Sequence, residues 1–205
     1  MPSTTYTRTG DDGQTTLGDL SRTAKSDPRI AAYGDCEEAC ALLGVVVAAG
    51  TGLPNEMVRL LTRLQNDLVD VGADLCAPPD GPGAEAAALR VDEGYVARLE
   101  RACDHFNAGL RPSSSFAVPG GTVSAASLHH ARSVVRRAER TAQGAIEREL
   151  VSPIIGTYLN RLGSLLLILA RAANVEHGDT PWEPGLSAGL AGVELWEPIP
   201  EPDER

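Results

Sequence analysis

Apolar residues recur every three to four positions along most of this chain, and β-branched runs with period-two alternation are missing. A sequence of this kind must bury its apolar stripes by packing helix on helix. Leu60, Leu61, Leu64, Leu68, Val71 and Leu75 show the pattern most plainly. Breakers divide it into segments. Asp27-Pro28 opens a first helix over 31–49 that stops at Gly50-Thr51-Gly52, since proline suits a first helical turn and glycine a last one. Pro54 opens a second helix that runs to Leu75, and the run Pro78-Pro79-Asp80-Gly81-Pro82-Gly83 ends that region. A third helix is predicted over 91–107, a loop over 109–121, and a fourth helix over 123–150. Pro153 starts a fifth, whose 165–170 stretch is apolar all round and therefore central or at a subunit interface. Past Asn174 the chain turns polar and rich in Pro and Gly, a loosely held tail with Trp182 and Trp196 as docking points. The expected fold is all-α, a five-helix up-and-down bundle over 28–175, with an amino-terminal loop (1–27) and a carboxy-terminal tail (176–205).

With 205 residues the chain can bury one sizeable core. A net charge of -10 argues against a general nucleic-acid or anionic-membrane binder. The first twenty residues are polar, unlike a secretory signal, and no apolar run approaches the roughly eighteen residues that span a bilayer. A cytoplasmic protein is expected. Cys36, Cys40, Cys76 and Cys103 lie inside apolar helical patterns without C-x-x-C spacing, which reads as reduced, buried thiols. Cys36 and Cys40 share a helical face and could hold a soft metal, but no histidine lies near them in sequence. No metal site is assigned.

Positive charge is concentrated in one place, the segment 127–140 of the fourth helix. Arg132, Arg136 and Arg140 are four apart and share a face, Arg137 lies about 100° round the helix, and Glu139 can pair with a neighbour. Guanidinium groups so arranged present planar forks to phosphate oxygens. A solvated face laced with salt bridges is the plainer alternative. A second feature favours the phosphate reading: Thr7-Arg8-Thr9-Gly10-Asp11-Asp12-Gly13-Gln14-Thr15 is a loop of glycines, hydroxyls and carboxylates whose backbone can approach a phosphate or ribose closely, with Lys25 further on. It has neither the Walker spacing nor G-x-G-x-x-G. In a helical bundle, a nucleotide would lie at the bundle's end, between this loop and the arginine helix.

Several motifs in order resemble the PduO-type ATP:cob(I)alamin adenosyltransferases, from about Tyr6 to Asn174. They are the loop at 7–15; Lys25 with Asp27-Pro28-Arg29; Ala32-Tyr33-Gly34; Phe116 with Pro119-Gly120-Gly121; Leu128-His129 with Ala131-Arg132; Arg136-Arg137-Ala138-Glu139-Arg140; and Tyr158-Leu159-Asn160-Arg161-Leu162 with Ala170-Arg171 and Ala173-Asn174. The resemblance implies a homotrimer with active sites shared between subunits. In that family the cobalt of cob(I)alamin attacks the 5′ carbon of ATP, giving adenosylcobalamin and triphosphate, with Mg2+ on the phosphates. By resemblance, Thr7, Arg8, Thr9, Gly10, Asp11, Gly13 and Thr15 would cradle ATP, Lys25 and Arg136 would neutralise the triphosphate, and Glu139 and Asn160 would orient the nucleotide. Arg132 would pair with Glu37 across the subunit interface, and Phe116 would face the corrin. A reductase supplying cob(I)alamin and an adenosylcobalamin-dependent enzyme are the implied partners.

Phe116 has a physical argument of its own, being a large apolar group in a loop after three serines. Beside cobalt it could displace the lower axial ligand and exclude water; otherwise it would anchor the loop in the core. The chain also departs from the family's pattern. It carries Glu37-Glu38-Ala39-Cys40 where Asp-Glu-Leu/Ala-Asn is usual, and Asn160-Arg161-Leu162-Gly163-Ser164 where Asn-Arg-Leu-Ser-Asp is usual. A thiol replaces an amide poorly as a hydrogen-bonding group, so these changes touch the corrin side more than the ATP side. Beside a working adenosyltransferase stand two alternatives: a repurposed homologue that binds a nucleotide or another ligand or catalyses a different reaction, and a purely structural or regulatory oligomer.

Overall fold

A computed structural model describes residues 6–50, 52–77, 89–112, 115–188 and 196. The breaker at 78–83, Thr51 and most of the tail lie outside the described residues. Among the described residues five α-helices make up the body: α1 (Pro28–Ala49), α2 (Asn55–Leu75), α3 (Glu93–Asn107), α4 (Val123–Ile146) and α5 (Pro153–Ala173). Their starts are written in local chemistry. Asp27, Asp92, Thr122 and Ser152 each turn a side-chain oxygen back onto a first-turn N–H, and Pro28 and Pro153 occupy first-turn positions where no donor is needed.

Packing follows the order α2, α1, α4, α5, α3, with α1 and α5 each also meeting their outer neighbours. Leu43, Val46, Leu61, Leu64, Leu128, Val135, Leu159, Leu162 and Leu166 fill the core, together with the fully buried Tyr158. The Tyr158 hydroxyl reaches Asp67 Oδ2 of α2 at 3.4 Å. Buried Asp74, near the end of α2, accepts from Arg90 at 2.6 Å and from the Val91 N–H at 2.8 Å, which ties the entry of α3 to the exit of α2.

In several places the folded chain departs from what its sequence pattern predicts. Helix α3 begins at Glu93 rather than at 91, because the Asp92 carboxylate caps Gly94 and Tyr95 while Val91 is held by Asp74. Helix α4 ends at Ile146 rather than 150; Glu149 has φ 57 and the Leu150 N–H turns back to Ala145 O. Two short antiparallel ribbons exist where none was expected: β1 (Gln14–Thr16) with β2 (Arg22–Ala24), and β3 (Ala117–Val118) with β4 (Thr180–Pro181). Strands of two and three residues are too short to leave a period-two signal. Of the four free thiols only Cys36 is buried. Trp196 is 82% exposed and docks on nothing among the described residues. Finally, α5 is long and apolar enough by composition to cross a membrane, with a mean hydropathy of 1.4. Its Leu162, Leu165, Leu166 and Leu169 are nevertheless fully buried against the other helices, as in a core helix.

Candidate functional site

The amino-terminal loop is a built structure. Arg22 of β2 donates to both Asp12 carboxylate oxygens (2.9 and 3.0 Å), to Thr9 O (2.9 Å) and to Gln14 Oε1 (3.2 Å), so one guanidinium holds three points of the turn. Gly13 takes φ +80, a conformation that favours glycine, and its carbonyl accepts from the Lys25 N–H. Lys25 Nζ lies against Gly10: a Cβ built there would be 3.1 Å from that nitrogen. Thr7 and Thr9 hydroxyls meet at 2.9 Å, Asp11 closes a turn onto Arg8 O, Thr15 pairs with Thr23 in the ribbon, and Arg8 stacks over Tyr6. The predicted loop residues and Lys25 are thus brought together. Arg22 was missed, since an arginine ten residues from its carboxylate partner has no periodic signature.

Two contacts fix this loop to the bundle. Gly18 N–H donates to Cys76 O at the end of α2, and Asp27 at the start of α1 accepts from Thr23, from the Arg29 N–H and from the Arg29 guanidinium. The Arg29 guanidinium holds the Asp27 carboxyl well below the usual carboxylate range. The loop therefore sits where α1 begins and α2 ends.

A second group forms a cleft of about 420 Å³ between α4 and α5, lined by Arg132, Arg136, Glu139, Asn160, Gly163 and Ser164. Asn160 Nδ2 donates to Glu139 Oε1 at 3.0 Å, so those two functional candidates are joined directly. Arg136 is exposed beside them. Arg132 Nε is buried without a hydrogen-bond partner, and burial followed by the nearby Arg136 pulls its pKa down. Two like charges, one with an unmet donor, flank the Glu139–Asn160 pair; that electrostatic arrangement suits an incoming polyanion. Arg140 and Arg137 do not line this cleft: Arg140 donates to Arg136 O, and Arg137 bridges to Asp35 and Glu38 of α1. The plainer reading of the arginine run as a salt-bridged face therefore holds for Arg137 alone among those four.

Glu37 lies elsewhere, in an apolar groove of about 360 Å³ between α1 and α2 lined by Tyr33, Cys36, Cys40, Gln65, Leu68 and Gly72. It accepts from the Tyr33 hydroxyl at 2.8 Å, a partner sequence reasoning missed although it sits one turn away. Within one chain Glu37 and Arg132 form no ion pair. Cys40 gives its thiol to Gln65 O and takes the Gln65 amide at its own carbonyl. Burial pushes the Cys36 thiol up to about 12 and raises the half-buried Cys40 thiol as well.

Phe116 is 80% exposed, which rules out the core-anchor reading. Its segment is held by Asn174, 3% exposed, which accepts from the Thr122 N–H and donates to Gly120 O and Asp179 Oδ1. Gly121 has φ +89, and a Cβ there would collide with the Asn174 amide.

A guanidinium-lined cleft, a Gly/Thr turn with Lys25 beside it and a displayed aromatic ring on a five-helix bundle make a helical protein suited to an anionic ligand. The profile described as Cobalamin adenosyltransferase matches residues 5–173. The chain is 49% identical over 186 residues to the Corrinoid adenosyltransferase of Mycobacterium tuberculosis (strain ATCC 25618 / H37Rv), covering 88% of this chain and 93% of that protein. It is 33% identical over 175 residues to the Corrinoid adenosyltransferase of Bacillus subtilis (strain 168), covering 84% and 88%. Among solved structures, a phenylalanine-to-histidine variant of a PduO-type ATP:corrinoid adenosyltransferase from Lactobacillus reuteri, complexed with cobalamin and ATP, superposes with a TM-score of 0.82 at 29% identity, covering 88% of this chain and 97% of that one. The chain belongs to the cobalamin adenosyltransferase family.

Proposed function

We propose that the two clefts and the amino-terminal loop divide the work of corrinoid adenosyl transfer between them. As an enzyme of this family the chain is a corrinoid adenosyltransferase: the 5′-deoxyadenosyl group of ATP passes to cob(I)alamin, and triphosphate leaves. The convergence of Arg132, Arg136, Glu139 and Asn160 in one cleft carries the assignment. Triphosphate departs with several negative charges, so fixed cationic donors stabilise the charge that grows during displacement. Arg136 and Lys25 take that role, the loop from Thr7 to Thr15 cradles the phosphates through backbone N–H groups and hydroxyls, and the Glu139–Asn160 pair orients the nucleoside. Phe116 faces the corrin and excludes water from the lower side of cobalt.

Magnesium keeps several waters and is held chiefly through substrate phosphates, which fits a cleft whose one lining carboxylate, Glu139, already accepts from Asn160. When bound it would neutralise phosphate charge there.

The geometry of α1 accords with a site shared between copies, as in the homotrimer proposed here. Asp35 and Glu38 face α4, where Arg137 bridges them, whereas Glu37 is turned about 100° or more away along the helix, into the α1–α2 groove. Glu37 and the amino-terminal loop thus belong to one side of the protomer, and the arginine cleft to another. A second copy that sets its α4–α5 cleft against the first copy's α1–α2 groove would let Arg132 meet Glu37 and complete the site. A cytoplasmic location accords with α5 using its apolar residues in the core. The partners proposed are a reductase that delivers cob(I)alamin and an enzyme that uses adenosylcobalamin. The test is adenosylcobalamin formation from ATP and chemically reduced cobalamin by the purified oligomer with Mg2+; absence of product would refute the activity, and nucleotide binding without cobalamin binding would favour a repurposed homologue.

A further inference from the structure

Phe116 is presented to solvent by a connection that the far end of the chain fastens. The Trp182 N–H donates to Phe116 O at 2.7 Å, and Ser115 Oγ donates to Trp182 O at 2.8 Å. The next residues pair as strands, Ala117 with Pro181 and Val118 with Thr180. Both segments rest on one anchor: Asn174 holds Gly120, Thr122 and Asp179, while Arg171 donates to Asp179 and to Arg111 O. Above this anchor the Trp182 indole lies 6.2 Å from the Phe116 ring, tilted by 60°. Trp182 is itself 50% exposed and Phe116 80%, so the two rings touch along one side at the surface, away from the core.

An exposed aromatic ring on an unrestrained loop samples several rotamers and loses that freedom when a ligand arrives. A strand clamp on its backbone and a second ring against one side remove part of that loss beforehand. We infer that Trp182 is a positioning residue for the corrinoid step: its main chain sets the height of Phe116, and its indole confines the Phe116 ring to one side. Together they form a preset apolar step for the lower face of a flat macrocycle. This rests on the reading of Phe116 given above, and Trp182 acts through Phe116 without contacting cobalt.

The experiment uses the full chain with cob(II)alamin and ATP, following the visible absorbance change on loss of the lower axial ligand; kcat and the KM for ATP are then read after a chemical reductant is added to supply cob(I)alamin, and Tm is measured alongside. Trp182→Ala is expected to reduce the ligand-free fraction and kcat about tenfold, with the ATP KM within about twofold of wild type, since small misplacements near a reacting centre are costly. Trp182→Phe should recover more than half of both losses. Adding Trp182→Ala to Phe116→Ala should cost nothing further. If Phe116→Ala is impaired but Trp182→Ala keeps the wild-type spectrum and kcat, the inference falls while the Phe116 reading stands; a silent Phe116→Ala overturns that reading itself. A loss in Trp182→Ala that raises the ATP KM as much as it lowers kcat also overturns the positioning role. Should Trp182→Ala melt below the assay temperature, Trp182→Leu, which keeps apolar bulk without a ring, decides: impairment supports the inference and wild-type behaviour overturns it.

Discussion

Arg136 and Arg22 are both partly or fully exposed arginines, yet their surroundings assign them different work. Arg136 stands in the α4–α5 cleft beside buried Arg132 and the Glu139–Asn160 pair, with its side chain unengaged by any carboxylate there. Its charge is therefore available to substrate. Arg136→Ala should lower kcat/KM by roughly 100-fold or more, as loss of a fixed charge-stabilising donor typically does, with Tm nearly unchanged; steady-state kinetics beside calorimetry checks both. Arg22 instead spends every bond on its own loop, through Asp12, Thr9 and Gln14. Because an exposed ion pair contributes at most about 1 kcal/mol, Arg22→Ala should scarcely alter folding. It should loosen the turn that carries Gly13 and Lys25, raising the ATP KM about tenfold with a smaller change in kcat, since ordering the loop would then fall to the substrate. An unchanged ATP KM would show that the loop holds its shape without Arg22.

Helices announce themselves because capping and periodicity are local. Asp27-Pro28, Pro54 and Pro153 marked the starts of α1, α2 and α5 in the sequence, and the leucines of α2 marked its buried face. The ribbons were hidden: β3 needs a partner more than sixty residues away, and two residues cannot show a period. The same limit applied to site chemistry. Glu139, Asn160 and Arg136 came from motifs, as did Asn174, and Trp182 was expected as a docking point of the tail; their partners, Gly120, Thr122 and Phe116, depend on contacts that only the folded chain supplies. At the element scale the cap of α1 is testable. Asp27 has its folded pKa lowered by Arg29, so it contributes stability above the ordinary carboxylate range, and that stability is lost as pH falls below about 4. Asp27→Ala should cost about 1–2 kcal/mol at neutral pH and flatten the acid limb of a Tm-versus-pH curve; an acid limb identical to wild type would contradict the linkage. Helix α5 offers another test. A Cβ at Gly163 would meet Arg136 Cγ at 3.5 Å, ordinary contact, so a small side chain can begin there without displacing backbone. The combined Cys40→Asn, Gly163→Ser and Ser164→Asp change should therefore fold normally and raise corrinoid turnover if those positions have drifted. Unchanged turnover would mean that the present residues already serve the reaction.

Across the whole molecule the decisive question is whether one chain holds a complete site. Glu37, Lys25 and the Gly/Thr turn lie with α1 and α2, and Arg132, Arg136, Glu139 and Asn160 lie with α4 and α5. Arg137 ties α4 to α1 at the surface by bridging to Asp35 and Glu38, while Glu37 is turned toward the other groove. If sites form between protomers, two inactive variants can repair each other. A Glu37→Ala chain still offers its arginine cleft, and an Arg136→Ala chain still offers its glutamate groove. Mixed one to one under conditions that exchange subunits, they should regain about one quarter of wild-type activity, because each intact site needs the right chain on both sides of a cyclic interface. The check is the activity of the exchanged mixture against each variant alone and against a mixture cross-linked before mixing. Sites contained within single chains would give no recovery, since every chain would then carry one of the two lesions.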